Sequence, residues 1–182
     1  MTLSFQNLEI NLNSTNSILI LGKKNSGKTT IAKYIVDNVD FDFFIVDIIG
    51  NWKEYKSKYD YVLTDPSLKD NRIWKYAMSK GKFVIIDEAD RHQNDWYLEH
   101  FYNVSRNYGC GYLAIARRMK DLSPIVRTNS DYTFIGKTYH ETDFKPILED
   151  YYIDEQTLRQ LGDHEFLAFK DNEYLATIEL KL

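Results

Sequence analysis

The sequence predicts an α/β fold in which a mainly parallel central sheet is covered by helices on both faces. Short, almost wholly apolar segments alternate along the chain with segments of helical spacing, a pattern typical of parallel strands buried on both faces. The chain is 43% hydrophobic and 27% charged, with 8 Gly and 3 Pro, which excludes a disordered or collagen-like polypeptide. Its 182 residues predict one domain spanning residues 1–182.

The elements of the sheet follow one another in a regular order. The predicted strands lie at residues 17–21, 41–49, 83–86, 112–116 and 132–135. The predicted helices lie at residues 29–38, 67–79, 94–108 and 141–150. In the first helix Ile31, Ile35 and Val36 recur on one side, as a helix packed against a sheet requires.

The two ends of the chain have a different pattern from the middle. Residues 3–12 alternate between apolar and polar side chains, and residues 165–170 and 174–180 are separated by the turn signal Asp-Asn-Glu. We expect antiparallel edge strands from both termini, with the last two forming one hairpin beside the amino-terminal strand.

Charge and cysteine usage narrow the class of protein. With 23 Lys and Arg against 27 Asp and Glu, the formal net charge is −4, which excludes a strongly basic nucleic-acid module but not a local basic surface. The single cysteine, Cys110, cannot form an internal disulfide and fits a reducing compartment. The longest apolar runs are far shorter than the roughly 20 residues of a membrane span, and the amino terminus lacks a signal peptide. We therefore expect a soluble, cytoplasmic protein.

Residues 22–29 match the phosphate-binding pattern G-x-x-x-x-G-K-[ST] in full. Glycines let successive backbone N–H groups turn into one concavity, and the following helix contributes its positive end. Lys28 is expected to reach the β- and γ-phosphates, and Thr29 to complete a Mg²⁺ shell. The alternative, an ordinary glycine turn with a surface lysine, is disfavoured because the motif follows a predicted strand and opens a predicted helix. The predicted nucleotide-binding residues are Gly22, Lys23, Lys24, Asn25, Ser26, Gly27, Lys28, Thr29 and Thr30.

A second motif follows the apolar strand at residues 83–86, where Asp87 and Glu88 stand side by side. Asp87 is expected to hold Mg²⁺, usually through water, and Glu88 to orient and polarise the attacking water. The alternative is that the pair only begins a solvated helix. The intervening strand at residues 41–49 predicts a RecA-like P-loop NTPase of the catalytic-Glu division. In that arrangement strand 112–116 lies between the other two, so Arg117 and Arg118 point at the γ-phosphate.

From Gly22 to the carboxyl terminus the order of features resembles the FtsK–HerA superfamily of P-loop ATPases. Within it, the chain is most similar to the small genome-packaging ATPases of tailless, membrane-containing double-stranded DNA viruses. Residues 105–118 carry an arginine, a glycine turn, an apolar strand and a polar sensor followed by arginine, as that family does. The match continues through residues 121–124 and 126–131, Phe134 and Asp143. The chain departs from the superfamily at Arg117, where many members have Gln, and at Met119, where many have Pro.

The resemblance implies an ATP-hydrolysing motor that translocates double-stranded DNA and packages a viral genome into a preformed capsid. It implies ATP and Mg²⁺ as cofactors, assembly as a homo-hexamer, contact with capsid or vertex proteins, and a place in the host cytoplasm or the virion. Besides Lys28 and Glu88, it implies catalytic roles for Arg117 as γ-phosphate sensor and Arg106 as an arginine finger reaching a neighbouring subunit. A solvent-exposed helix residue is the alternative for Arg106.

Residues 51–61 mix three lysines, Lys53, Lys56 and Lys58, with four aromatic residues. This composition suits contact with the phosphates and sugars of DNA. The alternative is an amphipathic helix with a solvated lysine face. Weaker candidates for DNA contact are Lys120, Lys137 and Arg127.

Two other functions fit a P-loop protein of this size. A small kinase would transfer the γ-phosphate to a small acceptor, and such enzymes usually carry an arginine-rich lid that is not evident here. A non-catalytic, nucleotide-gated assembly factor would lack steady turnover, and Asp87-Glu88 argues against it. The four histidines show no metal-ligand spacing.

Overall fold

The computed structural model describes residues 2–5, 8–65, 70–92 and 94–180, which form ten strands and six α-helices. The strands are β1 Thr2–Phe5, β2 Leu8–Asn11, β3 Ser17–Leu21, β4 Phe43–Asp47, β5 Asp60–Leu63, β6 Phe83–Ile86, β7 Tyr112–Ala116, β8 Tyr132–Gly136, β9 Glu165–Lys170 and β10 Glu173–Glu179. The helices are α1 Lys28–Asn38, α2 Asn71–Lys80, α3 Trp96–Val104, α4 Pro124–Thr128, α5 Glu141–Tyr151 and α6 Glu155–Gln160.

The central sheet has the order β10-β9-β8-β3-β7-β6-β4-β5. The six strands from β8 to β5 are parallel, and β9 and β10 continue the sheet as an antiparallel hairpin. Strand β7 lies between β3 and β6, as the sequence predicts, so the phosphate loop and the acidic motif sit two strands apart. The carboxyl-terminal edge hairpin is also confirmed, but it pairs with β8 rather than with the amino-terminal strand that the sequence predicted as its neighbour.

Helices cover both faces of the sheet because successive strand residues alternate between the two faces. On β3, Ile18 and Ile20 join the core that includes α1 and the β1–β2 hairpin. Leu19 and Leu21 point the other way, into the core that includes α2, α3 and α5. All four side chains are at most 1% exposed. The predicted two-sided burial is confirmed.

Several boundaries differ from the prediction. Strand β4 ends at Asp47 rather than residue 49, because the Asp47 carboxylate accepts hydrogen bonds from the backbone that follows it. Helix α2 begins at Asn71 behind an Asp70 cap; the predicted residues 67–69 lie outside the described part of the chain. Helix α3 occupies only the middle of the predicted range 94–108, since Asp95 caps its start and a 3₁₀ turn, Ser105–Tyr108, follows it.

Strand β5 and helices α4 and α6 were not predicted, and the amino-terminal segment differs from its prediction. Strand β5 adds a sixth parallel strand at the edge of the sheet. Strands β1 and β2 pair antiparallel in a two-stranded sheet of their own, where the sequence predicted an edge strand of the main sheet. Helices α4 and α6 are short. No helix in the described ranges has the length and apolar character that crossing a bilayer demands.

Candidate active site

The phosphate loop joins β3 to α1 and is anchored to the ends of neighbouring strands. The backbone N–H of Gly22 donates to the carbonyl of Ala116 at 3.3 Å, and that of Lys23 donates to the carbonyl of Lys137 at 2.8 Å. Gly27 closes the loop with φ +95°, where a Cβ would come within 2.7 Å of Leu180 Cδ1. The backbone conformation at this position favours glycine, and a larger residue would also displace the Leu180 side chain.

Lys28 is the first residue of α1 and lies across the loop. Its side chain is buried, and Nζ donates to the carbonyl of Lys23 at 2.7 Å. Burial lowers the pKa of Lys28, while the negative charges of Glu88 and Asp90 act in the opposite direction. Ser26 Oγ is also buried and has no hydrogen-bond partner among the described residues. A cradle with a buried cation and an unpaired hydroxyl fits an anionic ligand.

The phosphate loop and the acidic motif face one cleft of about 520 Å³. Its predicted lining residues are Lys24, Asn25, Ser26, Gly27, Lys28, Thr29, Thr30, Asp87, Glu88 and Arg117. Lys23 instead turns outward, where Nζ donates to Asp163 and to Tyr139 Oη, each at 2.6 Å. The cleft lies at the carboxyl ends of parallel strands, the usual ligand position in an open α/β sheet.

Asp87 follows β6 and is 1% exposed. Its Oδ2 accepts from Asn51 Nδ2 at 3.1 Å and Trp52 Nε1 at 3.3 Å, and its Oδ1 accepts from the backbone N–H of Glu88 at 3.0 Å. Burial raises the pKa of Asp87, the Asn51 hydrogen bond opposes that rise, and the charges of Glu88 and Asp47 add to it. A cation bound at this carboxylate would offset the cost of burying its charge.

Glu88 adopts the left-handed conformation, with φ +54°, which a non-glycine residue rarely takes and which often marks a functional position. Its carboxylate forms ion pairs with Arg117 and with Arg91, the latter through Nε at 3.0 Å. The backbone N–H of Arg117 donates to the buried Asp90 carboxylate at 3.2 Å. Glu88 and Arg117 thus meet in the cleft, held by two residues, Asp90 and Arg91, that no sequence motif singled out.

Arg118 does not line this cleft, contrary to expectation. Arg118 instead reaches the start of α5, where its Nη2 donates to Thr142 Oγ1 at 3.0 Å. Its Nε donates to Asp143 at 2.7 Å, and Asp143 also accepts from the backbone N–H of Lys120 at 3.1 Å. Asp143 lies in the first turn of α5 and is 1% exposed. The pair therefore ties α5 to the loop after β7.

Arg106 lies at the opposite end of the sheet from the phosphate loop of its own chain. Its Nη2 contacts both carboxylate oxygens of Asp131, at 2.7 and 2.8 Å. Asp131 also accepts from the backbone N–H of Ser17, at the start of β3, at 2.7 Å. The Arg106 side chain remains 60% exposed, so it is accessible to another molecule.

Lys53, Lys56 and Lys58 are all exposed, but two of the four aromatic residues in the segment 51–61 are buried. Trp52 is fully buried and Tyr55 is 9% exposed, and both pack in the core that includes α1. The expectation of an aromatic grip on DNA is therefore wrong for these two residues, because the segment folds back onto the sheet instead of projecting from it.

Cys110 lies outside the cleft, where it is buried and forms no disulfide within the described residues. Within the described ranges, no three or more His, Cys, Asp and Glu side chains are grouped so that they could hold a metal ion by themselves.

The sequence around this cleft matches a known protein family. The model of the "ATPase family associated with various cellular activities (AAA)" matches residues 18–150, a range that contains the loop, the acidic motif and Arg117. The chain belongs to the AAA family. No curated protein matches the sequence of this AAA domain.

Solved structures share the fold of the AAA domain at low sequence identity. The genome packaging NTPase B204 from Sulfolobus turreted icosahedral virus 2 in complex with AMPPCP is 20% identical, with a TM-score of 0.74 over 88% of this chain and 95% of that one. Its sulfate complex is 21% identical, with a TM-score of 0.77 over 94% and 99%. The pCW3 conjugation coupling protein TcpA with ATPγS is 14% identical, with a TM-score of 0.67 over 94% and 62%. The predicted resemblance to packaging ATPases is confirmed at the level of the fold.

Proposed function

We propose that this AAA domain is an ATP-hydrolysing motor that translocates double-stranded DNA and packages a viral genome into a preformed capsid. The observation that carries the proposal is the single cleft shared by Lys28, Asp87, Glu88 and Arg117. The fold shared with a genome packaging NTPase and a conjugation coupling protein supports DNA as the substrate.

ATP fits the cradle around Lys28. The Lys28 ammonium would donate to the β- and γ-phosphates in place of the Lys23 carbonyl, and the buried Ser26 hydroxyl would gain a partner. Thr29 and Asp87 would hold Mg²⁺, a hard cation that prefers oxygen ligands. When bound, Mg²⁺ supplies neutralisation of phosphate charge.

Glu88 is the general base of the proposed reaction. A carboxylate offers about four lone-pair sites, so contacts with Arg91 and Arg117 leave room for a water O–H. The water oxygen forms a bond to the γ-phosphorus, Glu88 accepts the proton, and the bond to the β-phosphate oxygen breaks to release ADP. Arg117, within the same cleft, would stabilise the charge on the transferring phosphoryl group.

Arg106 would act on the nucleotide of a neighbouring subunit in a homo-hexamer. It is exposed and stands at the opposite end of the sheet from its own cleft, so a role on phosphate is open to it only across an interface. Lys53, Lys56 and Lys58 are the proposed DNA contacts, with capsid or vertex proteins as docking partners in the host cytoplasm or the virion.

An ATPase assay with and without double-stranded DNA tests the proposal, using Glu88→Gln and the control Glu149→Gln on the exposed surface of α5. We expect DNA to stimulate turnover, and Glu88→Gln to lower it by about 10²- to 10⁴-fold while nucleotide binding survives. The control should behave as wild type.

Three outcomes would contradict parts of this proposal. Full turnover by Glu88→Gln would remove Glu88 from the mechanism, and turnover indifferent to DNA would argue against a DNA motor. Transfer of the γ-phosphate to a small acceptor would identify a kinase instead. A mass measurement with a non-hydrolysable nucleotide checks the ring, and a monomer under those conditions would contradict it.

A further inference from the structure

Asp47 is a second buried carboxylate beside the metal-binding Asp87. It ends β4, whose neighbour β6 leads into Asp87, and the backbone N–H of Asp87 donates to the carbonyl of Val46 at 3.0 Å. Asp47 is 0% exposed. The free-energy cost of burying this carboxylate has to be offset by hydrogen bonds or by an opposite charge. Most of its hydrogen bonds come from the loop that follows β4.

The Asp47 carboxylate gathers the loop that follows it. Oδ1 accepts from the backbone N–H groups of Ile49, Gly50 and Asn51, at 3.1, 2.8 and 3.3 Å. Oδ2 accepts from the backbone N–H of Trp52 at 3.0 Å and from Tyr61 Oη at 2.9 Å. Four consecutive N–H groups thus wrap around one side chain, a turn closed by Gly50 at φ +86°.

This turn brings two side-chain donors to one oxygen of Asp87. Asn51 Nδ2 and Trp52 Nε1 both donate to Oδ2. The Trp52 indole is fully buried and packs on Tyr55 with ring centroids 5.5 Å apart, which restricts its movement. Because the backbone N–H of Glu88 takes one site on Oδ1, three of about four lone-pair sites of Asp87 are occupied.

We infer that Asp47, Asn51 and Trp52 are positioning residues that aim one lone pair on Oδ1 of Asp87 at hydrated Mg²⁺. The inference rests on the proposed binding of Mg-ATP but not on DNA translocation. Asp47 acts through the loop, and Asn51 and Trp52 act directly on the metal-binding carboxylate. Partners of this kind orient a metal ligand, and their loss typically weakens metal affinity by about 10- to 100-fold.

The test measures the affinity for ATPγS by calorimetry, with Mg²⁺ and with EDTA. Trp52→Phe keeps an aromatic ring but removes the Nε1 donor, and Asn51→Leu keeps the branched side-chain skeleton but removes the amide donor. We expect each variant to bind ATPγS as wild type does in EDTA, and to require about tenfold more Mg²⁺ to reach the tight-binding state.

Tyr55→Phe is the matched control, because it keeps the same packing segment and removes only a hydroxyl bonded to Asp37 at 2.9 Å. It should leave the Mg²⁺ requirement unchanged. Tryptophan emission provides an independent readout: Mg²⁺ added to the ATPγS complex should change the emission of the wild type, and Trp52→Phe should lose that change.

A purely structural role for the loop gives different results. In that case Trp52→Phe and Asn51→Leu would lower the melting temperature, with an unchanged Mg²⁺ requirement, and the inference would be overturned. A wild-type protein whose nucleotide affinity ignores Mg²⁺ would overturn it as well. Absence of DNA stimulation, with the Mg²⁺ effects intact, would contradict the proposed motor and leave the inference standing.

Discussion

Buried charged residues at the carboxyl ends of the parallel strands differ from those at the amino ends in the direction of their pKa shifts. At the carboxyl end, burial lowers the pKa of Lys28 and raises the pKa of Asp87 and Asp90. At the amino end, burial alone would raise the pKa of Asp131, but hydrogen bonds from Ser17, Asn16 and Arg106 outweigh it and lower that pKa.

This difference in pKa shifts separates a ligand-binding end of the sheet from an end whose charged groups stabilise the fold. Lys28 and Asp87, whose charged forms are disfavoured by burial, face one cleft, and such groups mark a site that an outside charge would complete. Asp131, in contrast, has its partners within the chain, and it pins Arg106 to the start of β3. Arg106 is therefore held in one place, at the opposite end of the sheet from the cleft of its own chain.

The largest expected effect is a loss of ATP turnover when Arg106, the proposed contact to a neighbouring subunit's nucleotide, is removed. Arg106→Ala should lower the turnover of assembled rings by about 10³- to 10⁵-fold, because it removes a cation from the transition state. Nucleotide binding by each subunit should persist. A steady-state ATPase assay and a binding assay on the same preparation measure both.

Mixed rings decide whether that role crosses the interface. Subunits with Arg106→Ala keep Glu88, and subunits with Glu88→Gln keep Arg106, so mixing two inactive proteins should restore part of the turnover. A mixture that stays inactive, or Arg106→Ala rings that hydrolyse ATP normally, would return Arg106 to a purely structural role.

A smaller effect is expected on stability. Asp131→Asn keeps the shape but loses the charge, and should destabilise the fold by about 1–3 kcal/mol at pH 7. A lowered pKa in the folded state means that this stability is present above the ordinary value of about 3.9 and is lost as pH falls through the folded value. Thermal unfolding of both proteins between pH 3 and about pH 7 should show the gap closing at acid pH. A constant gap would disprove the anchoring charge.

The site at the carboxyl ends of the parallel strands was largely predictable from sequence. The arrangement of side chains at their amino ends was not. Glycine and lysine spacing placed the phosphate loop, and the apolar run before Asp87 fixed β6 and put its carboxylate in the same cleft. The pairing of Arg106 with Asp131 joins residues 25 positions apart, and a single sequence carries no sign of it. Asp47 looked like the interior of a longer strand, although an aspartate three residues before Gly50 is a turn signal.

The smallest effect is expected for the lysines on the segment after β4. Lys53, Lys56 and Lys58 are exposed, and acidic residues stand beside them: Glu54 on the same turn, and Asp37 and Asp40 within electrostatic range of Lys58. Replacing all three by Gln should flatten the salt dependence of duplex DNA binding, with the slope falling by about 0.9 for each phosphate that is no longer neutralised. Fluorescence anisotropy at several salt concentrations measures it, with Lys145→Gln on α5 as a control. An unchanged slope would place the DNA-binding surface elsewhere.

In the proposed motor, Lys28 and Asp87 act on the same magnesium-bound triphosphate. A double-mutant cycle with Lys28→Ala, Asp87→Asn and the combined variant, measured as the affinity for Mg-ATPγS, tests it most directly. Two residues that share one ligand should couple by about 0.5–3 kcal/mol, so the double variant should lose less than the sum of the single losses. Losses that add to within about 0.5 kcal/mol would show independent roles and contradict the shared site.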